Sequence, residues 1–214
     1  MGSRLNSLIG LIFLINLGCS NQVDKLKVAD IFTDHMVLQQ EADVIIWGWA
    51  RPNTEITIAT SWTDQVYTLS DNSGTWETTI RTPKTDAQPH WLKIKSLDSS
   101  IILKDILFGE VWIGSGQSNM EMPMNGWIDR GDSLNDSQNE IKKANYPRIR
   151  IFRVNKVQTY EPVQQLDGNW AICSPETVSN FSAVLYFFGR ELHENIETPI
   201  GLIDASWEIG RAHV

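Results

Sequence analysis

The chain is poor in cysteine, in clustered basic residues and in long apolar runs. Of its 214 residues only two are cysteines, Cys19 and Cys173, too few for a disulfide framework or a Cys/His zinc site. Eighteen Lys and Arg face 26 Asp and Glu, for a net charge of −8, and no basic cluster of the kind that polyanion binding needs is present. Nucleic acid is therefore not an expected partner. The most apolar stretch, Leu8 to Leu17, is too short to span a membrane. What the chain does have is 42% apolar residues, nine tryptophans among them. That is enough for one large or two small domains with a real core.

The two ends read differently from the middle. Arg4, the apolar run Leu8–Leu17 and the small residues Gly18-Cys19-Ser20 form a secretory signal over 1–20, so the mature protein is expected to be exported. Cys19 directly after Gly18 resembles the lipobox of bacterial lipoproteins, where that cysteine is acylated and anchors the chain to a membrane. Asn16 departs from that pattern, and ordinary cleavage near Ser20 is the alternative. Either way Cys173 is left alone and is expected to be buried. At the other end, residues 208–214 (Glu-Ile-Gly-Arg-Ala-His-Val) match one translation frame of a short-read sequencing adapter. They are read as a non-native tail, and His213 is not recruited as a catalytic base.

Between 26 and 104 short strand-like runs alternate with turn signals, as in an antiparallel β-sandwich. The runs are 26–31, 36–39, 43–50, 55–59, 65–69, 75–80, 91–94 and 99–104; Arg51-Pro52-Asn53 and Asp71-Asn72-Ser73-Gly74 supply turns between them. Trp47 and Trp49 share one strand face, and Trp76 lies on another; aromatics at that period fill an inter-sheet core or, as the alternative, stack on sugar rings. From 105 to 207 strands alternate with helical stretches, which signals a parallel α/β sheet. Residues 162–170 read as a loop, and Ser174-Pro175-Glu176 as a cap with proline at the first helical position. A helix from Ser182, apolar through Ala183, Val184, Tyr186, Phe187 and Phe188 and with Arg190, Glu191 and Glu194 on its exposed face, leads to a strand over 199–206.

The most informative stretch is 106–124. Ile106 to Ile113 reads as a buried strand that stops at Gly114-Ser115-Gly116, and glycine freedom at 114 and 116 lets the chain turn sharply. Gln117-Ser118-Asn119 is then presented at the strand's carboxyl end, where open α/β sheets place ligands. Neither a dinucleotide fingerprint nor a P-loop fits, because Asn119 replaces a glycine and no Gly-Lys-Ser/Thr follows. Gly116-Gln117-Ser118 matches half of the hydrolase elbow Gly-x-Ser-x-Gly, with Met120 at the second glycine. On local chemistry Ser118 is either a nucleophile or a cap for the next helix.

Gly109-Glu110-Val111-Trp112 followed by Gly116-Gln117-Ser118-Asn119-Met120-Glu121-Met122 resembles the nucleophile block of the sialate O-acetylesterase family, a carbohydrate-esterase branch of the SGNH hydrolases. Val37-Leu38-Gln39-Gln40, Ile46-Trp47-Gly48-Trp49-Ala50, residues 180–192 and Pro199 to Trp207 agree with it in order. The resemblance, over 26–207, implies an α/β protein: an N-terminal antiparallel β-sandwich over 26–104, then the first part of a flavodoxin-like SGNH hydrolase domain over 105–207. It implies Ser118 as nucleophile, Gln117 and Asn119 beside the oxyanion and substrate, an O-acetylated sugar as substrate, and no metal or cofactor. It also implies a catalytic Asp and His from an Asp-x-x-His-like segment beyond residue 214, so this chain is expected to be an inactive fragment. The other readings are a glycan-binding surface lipoprotein and a xylan or pectin acetylesterase.

Overall fold

The computed structural model describes residues 25–207 except 98, 161, 162 and 164. The signal segment with Cys19 and the tail 208–214 therefore lie outside the described residues. Alternation builds the first half. In β4 (Glu55–Thr60) Ile56 and Ile58 are fully buried while Glu55 is exposed, and β6 (Thr75–Arg81) buries Trp76 and Ile80 in the same way. β1 (Lys27–Val28), β3 (Asp43–Trp49) and β6 form a three-stranded antiparallel sheet in the order β1-β3-β6. It shares a core with β4, β7 (His90–Ser96) and the first half of β8 (Ser99–Gly114), where Ile46, Trp76 and Ile80 meet Ile58, Leu92, Ile94, Leu103 and Ile106. Each such fully buried aliphatic side chain contributes about 1.5–3 kcal/mol.

The second sheet runs β10-β9-β11-β8-β7-β4-β5, with β5 at Val66–Leu69, β9 at Tyr146–Arg153, β10 at Trp170–Cys173 and β11 at Ile200–Asp204. β11 lies parallel to both β8 and β9, so Asp204 stands between Gly114 and Arg153 in one row. The three strands consequently end on the same side. α4 (Ala183–Ile196) covers one face of this parallel part, burying Leu185, Tyr186 and Gly189 against Leu202 and Ile151. Its start is capped by Ser182, whose Oγ accepts from Leu185 N and donates to Met120 O. α3 (Pro175–Val178) has proline at its first position, and the Ser174 N–H donates to Thr177 Oγ1.

The mixed α/β architecture is as expected, with five corrections in detail. The runs expected at 99–104 and 106–113 are one continuous strand, β8, so no linker separates 104 from 105. β2 (Val37–Gln39) pairs with β8 in parallel, not antiparallel. Trp170, expected in a loop, opens β10, which runs antiparallel to β9. On α4, Val184 and Phe188 face outward at 47% and 38% exposure; Phe188 packs edge-on against Trp112. Arg190, expected on the exposed face, folds back to pair with Glu140 at 2.6 Å and lies over the Phe187 ring.

The ladder between β8 and β7 is interrupted at Asp105. The register against β7 skips this residue, which adopts φ 55°, and the resulting bulge aims its carboxylate sideways. Arg150 of β9, its side chain 5% exposed, donates Nη1 to Asp105 Oδ2 at 2.7 Å, and His35 Nδ1 lies 2.6 Å from the same oxygen. Burial opposes ionisation of Asp105, but hydrogen bonds from Arg150 and His35 outweigh it and hold the carboxyl below its ordinary 3.8. Asp105→Ala strands the buried guanidinium and is expected to cost about 3 kcal/mol in urea denaturation. Because the folded-state value is depressed, the carboxylate's contribution is complete above the ordinary value and lost as pH falls through the folded one. Asp105→Asn is therefore expected to flatten the stability profile below about pH 4 relative to the parent chain.

Candidate active site

Beyond the last ladder pair the turn continues the sheet without being part of it. Gly114 O accepts from Ala205 N at 2.8 Å and Gly116 O from Trp207 N at 2.9 Å, so residues 205–207 flank the turn at 114–116. The two glycines serve different ends. Gly116 has φ 148°, and a Cβ there would stand 2.9 Å from Met120 Cγ. Gly114 needs no unusual φ, contrary to the sequence reading; a Cβ would instead strike Leu185 of α4 at 2.5 Å. Its small size lets the helix press onto the end of β8.

Ser118 opens the one-turn helix α1 (Ser118–Glu121) and is half-buried, while Gln117 and Asn119 are exposed on either side. The capping position is Gln117, whose carbonyl accepts from Met120 N and Glu121 N. The serine therefore does not hold the place of a helix cap. The turn is braced from behind: Gln39 Nε2 and Gln40 Nε2 donate to the two oxygens of Glu110 at 3.1 and 2.9 Å, and Gln39 Oε1 accepts from Val111 N. Two of the motifs that carried the family resemblance thus meet directly.

A cavity of about 160 Å³ adjoins the turn at the carboxyl ends of β9 and β11, lined by Val154–Val157, Val163, Gln165–Asp167 and Ala205–Trp207. Trp207 borders the cavity and also bonds the turn through Gly116. On the other side Lys156 reaches across to Glu121 of α1 as an ion pair. Within the floor, the buried Asp204 accepts from the N–H and Oγ–H of Ser206. Neither the Lys156–Glu121 pair nor the cavity was legible in the sequence, because Lys156 belongs to a polar loop with no motif around it.

Three of the four histidines are described, and each is engaged away from this turn. His35 faces Asp105, His90 lies between Ser61 and Asp86, and His193 Nδ1 is 3.2 Å from Thr198 O at the far end of α4. His213 lies outside the described residues. Among the described residues no group of three or more His, Cys, Asp or Glu could hold a metal ion. Cys173 is fully buried, and burial pushes its thiol up to about 12, which removes it as a nucleophile at neutral pH.

A β-strand ending at a serine turn beside a cleft, inside a mixed α/β sheet, is an arrangement that hydrolases use. No family model matches the chain. Sialate O-acetylesterase from Mus musculus is 29% identical over 201 residues, 85% of this chain and 36% of the relative. The Homo sapiens enzyme of the same name is 28% identical over 198 residues, 85% of this chain and 37% of its own. Among solved structures, a carbohydrate acetylesterase from Xanthomonas citri superposes with a TM-score of 0.78 at 27% identity, covering 86% of this chain and 40% of that one. These similarities bear out the resemblance to the sialate O-acetylesterase family. The chain spans just over a third of the length of the curated relatives it matches.

Gly116→Ala forces a side chain into a left-handed backbone and onto Met120; it is expected to destabilise the fold by about 1–3 kcal/mol, read as a fall in the urea midpoint. Cys173 is expected to resist iodoacetamide in the folded chain and to react once urea unfolds it, followed at its own tryptic peptide.

Proposed function

We propose that Ser118 is the nucleophile of a carbohydrate O-acetylesterase acting on O-acetylated sugars, with sialic acids as the foremost substrates. The observation that carries the reading is the position of Ser118, first in α1 at the carboxyl end of β8 and joined through Gly116 and Trp207 to the rim of a cavity. The sialate O-acetylesterase and carbohydrate acetylesterase relatives support the substrate class. In this reading Ser118 Oγ attacks the acetyl carbonyl as a base takes its proton. Its own backbone N–H helps to hold the oxyanion, and the sugar alcohol leaves from the tetrahedral intermediate. Water then attacks the acetyl-serine ester and releases acetate. Gln117 and Asn119, exposed on both sides, provide amides for sugar hydroxyls.

The base and the remaining oxyanion donors come, in this reading, from an Asp-x-x-His-like segment and other sequence outside the described residues. The protein acts after export, with Cys19 as a lipid anchor. The glycan-binding alternative has less support: Trp49 and Trp76 are buried at 8% and 1% exposure, and Trp47 packs edge-on against Phe32. They fill the core instead of forming a sugar platform.

The test is to read the source DNA past codon 207 and to assay both products on O-acetylated sialic acid. A product that continues into an Asp-x-x-His-like segment is expected to release acetate, with Ser118→Ala lowering kcat by about 10⁴-fold or more. The 214-residue chain is expected to be no faster than its own Ser118→Ala variant. Acetate release from that chain which depends on Ser118 contradicts the missing base; release from the longer product that survives Ser118→Ala contradicts the nucleophile. A xylan- or pectin-directed enzyme is recognised by acetate release from those polymers and none from sialic acid.

A further inference from the structure

Away from the Ser118 turn, three side chains from separate segments converge at the rim of the antiparallel strands. Ser61 follows β4, Asp86 lies between β6 and β7, and His90 is the first residue of β7. Ser61 Oγ is 3.0 Å from His90 Nδ1, and His90 Nε2 is 3.1 Å from Asp86 Oδ1. A carboxylate only accepts, so the shared proton on that side belongs to Nε2, and Nδ1 of the neutral ring presents a lone pair to the serine. Ser61 Oγ already accepts the Trp91 N–H at 3.2 Å, which leaves its own proton for that lone pair. The result is a hydroxyl bonded to a base that is itself oriented by an acid, the arrangement that activates serine nucleophiles.

The surroundings favour the same role. The His90 side chain is only 13% exposed and is wedged between Trp62, edge-on at 5.9 Å, and Phe108, tilted at 4.7 Å. The base is thus held in one orientation, while Ser61 itself is exposed. One element of an esterase is not assembled here. The Trp62 and Thr63 N–H groups both turn to Thr60 Oγ1, at 3.4 and 3.0 Å, so this pair of amides is not aimed at a developing oxyanion.

We infer that Ser61 is a second activated hydroxyl of this chain, one that takes acyl groups from activated esters, with His90 as base and Asp86 as the residue that orients it. Ser61 Oγ bonds to the acyl carbon as its proton passes to His90 Nδ1. The ester C–O bond breaks, its electron pair leaves with the phenolate, and His90 gives up the proton to water. With the Trp62 and Thr63 amides turned to Thr60 Oγ1, they do not hold a second oxyanion, hydrolysis of the acyl-serine is slow, and the site is filled once without turning over.

The probe is p-nitrophenyl acetate, used on the full chain carrying Ser118→Ala so that the serine of the proposed active site does not contribute. Acetylated serines are mapped by peptide mass spectrometry against time. Ser73 is the control, since it is exposed and bonds Asp71 at 2.7 Å but faces no histidine. Acetylation at Ser61 is expected to be about 10²-fold faster than at Ser73, the scale of general-base assistance. His90→Gln is expected to bring it down to the Ser73 rate. Asp86→Asn, at a side chain 53% exposed where folding is not at stake, is expected to slow it by about tenfold. Equal rates at Ser61 and Ser73, or a Ser61 rate unmoved by His90→Gln, overturn the inference; a rate unmoved by Asp86→Asn removes Asp86 from it. None of these outcomes bears on Ser118, which is absent throughout.

Discussion

The Asp105–Arg150 ion pair sits where one strand passes from one kind of sheet to another, and the rest of the structure depends on that passage. β8 is 16 residues long, about 50 Å of chain. Its first half pairs antiparallel with β7; its second half pairs in parallel with β2 and then β11. The ladder to β7 lies on one edge of β8 and the ladder to β11 on the other, and the bulge at Asp105 falls one pair before the first of them ends. The bulge also delivers a carboxylate to a guanidinium of β9, which would otherwise be a buried unpaired charge. Rigid attachment of the two halves follows from one continuous strand and this cross-tie, with Trp170 packed on Phe152 and its Nε1–H bonded to Ile31 O beside it.

Placement of Ser118 follows from the same strand. β8 carries its register through Glu110, gripped by Gln39 and Gln40, to Gly114, pressed by Leu185, before the chain turns at Gly116. The serine's location is thereby set by core packing and by a half-buried carboxamide–carboxylate contact, with Trp207 and the Lys156–Glu121 pair closing the sides. Short polar contacts at the rim matter less for stability than for where the walls of the cleft stand.

Much of this was legible locally. The alternation in Glu55 to Ala59, the turn residues at Arg51-Pro52-Asn53, the proline after Ser174 and the cap at Ser182 each act within a few residues, and each element formed where expected. Gly116 was correctly read as a backbone requirement, whereas Gly114 proved to be a packing requirement set by a helix some seventy positions later. β10 escaped notice because a strand of four apolar residues after a polar loop is too short to show a period, and its pairing with β9 is non-local. The outward turn of Val184 and Phe188 likewise reflects how α4 rotates onto the sheet, which apolar content does not specify.

By itself, then, the sequence determined which segments extend or coil, that a serine follows a strand at a glycine-flanked turn, and which family the chain resembles, because propensity, capping and short motifs act through neighbouring residues. Only the tertiary structure decided that β8 is a single strand shared by both halves, that β2 joins it in parallel, that Lys156 reaches Glu121, and that Ser61, Asp86 and His90 meet. Those facts rest on contacts between residues far apart in the chain, whose energies exist only once the core brings them together.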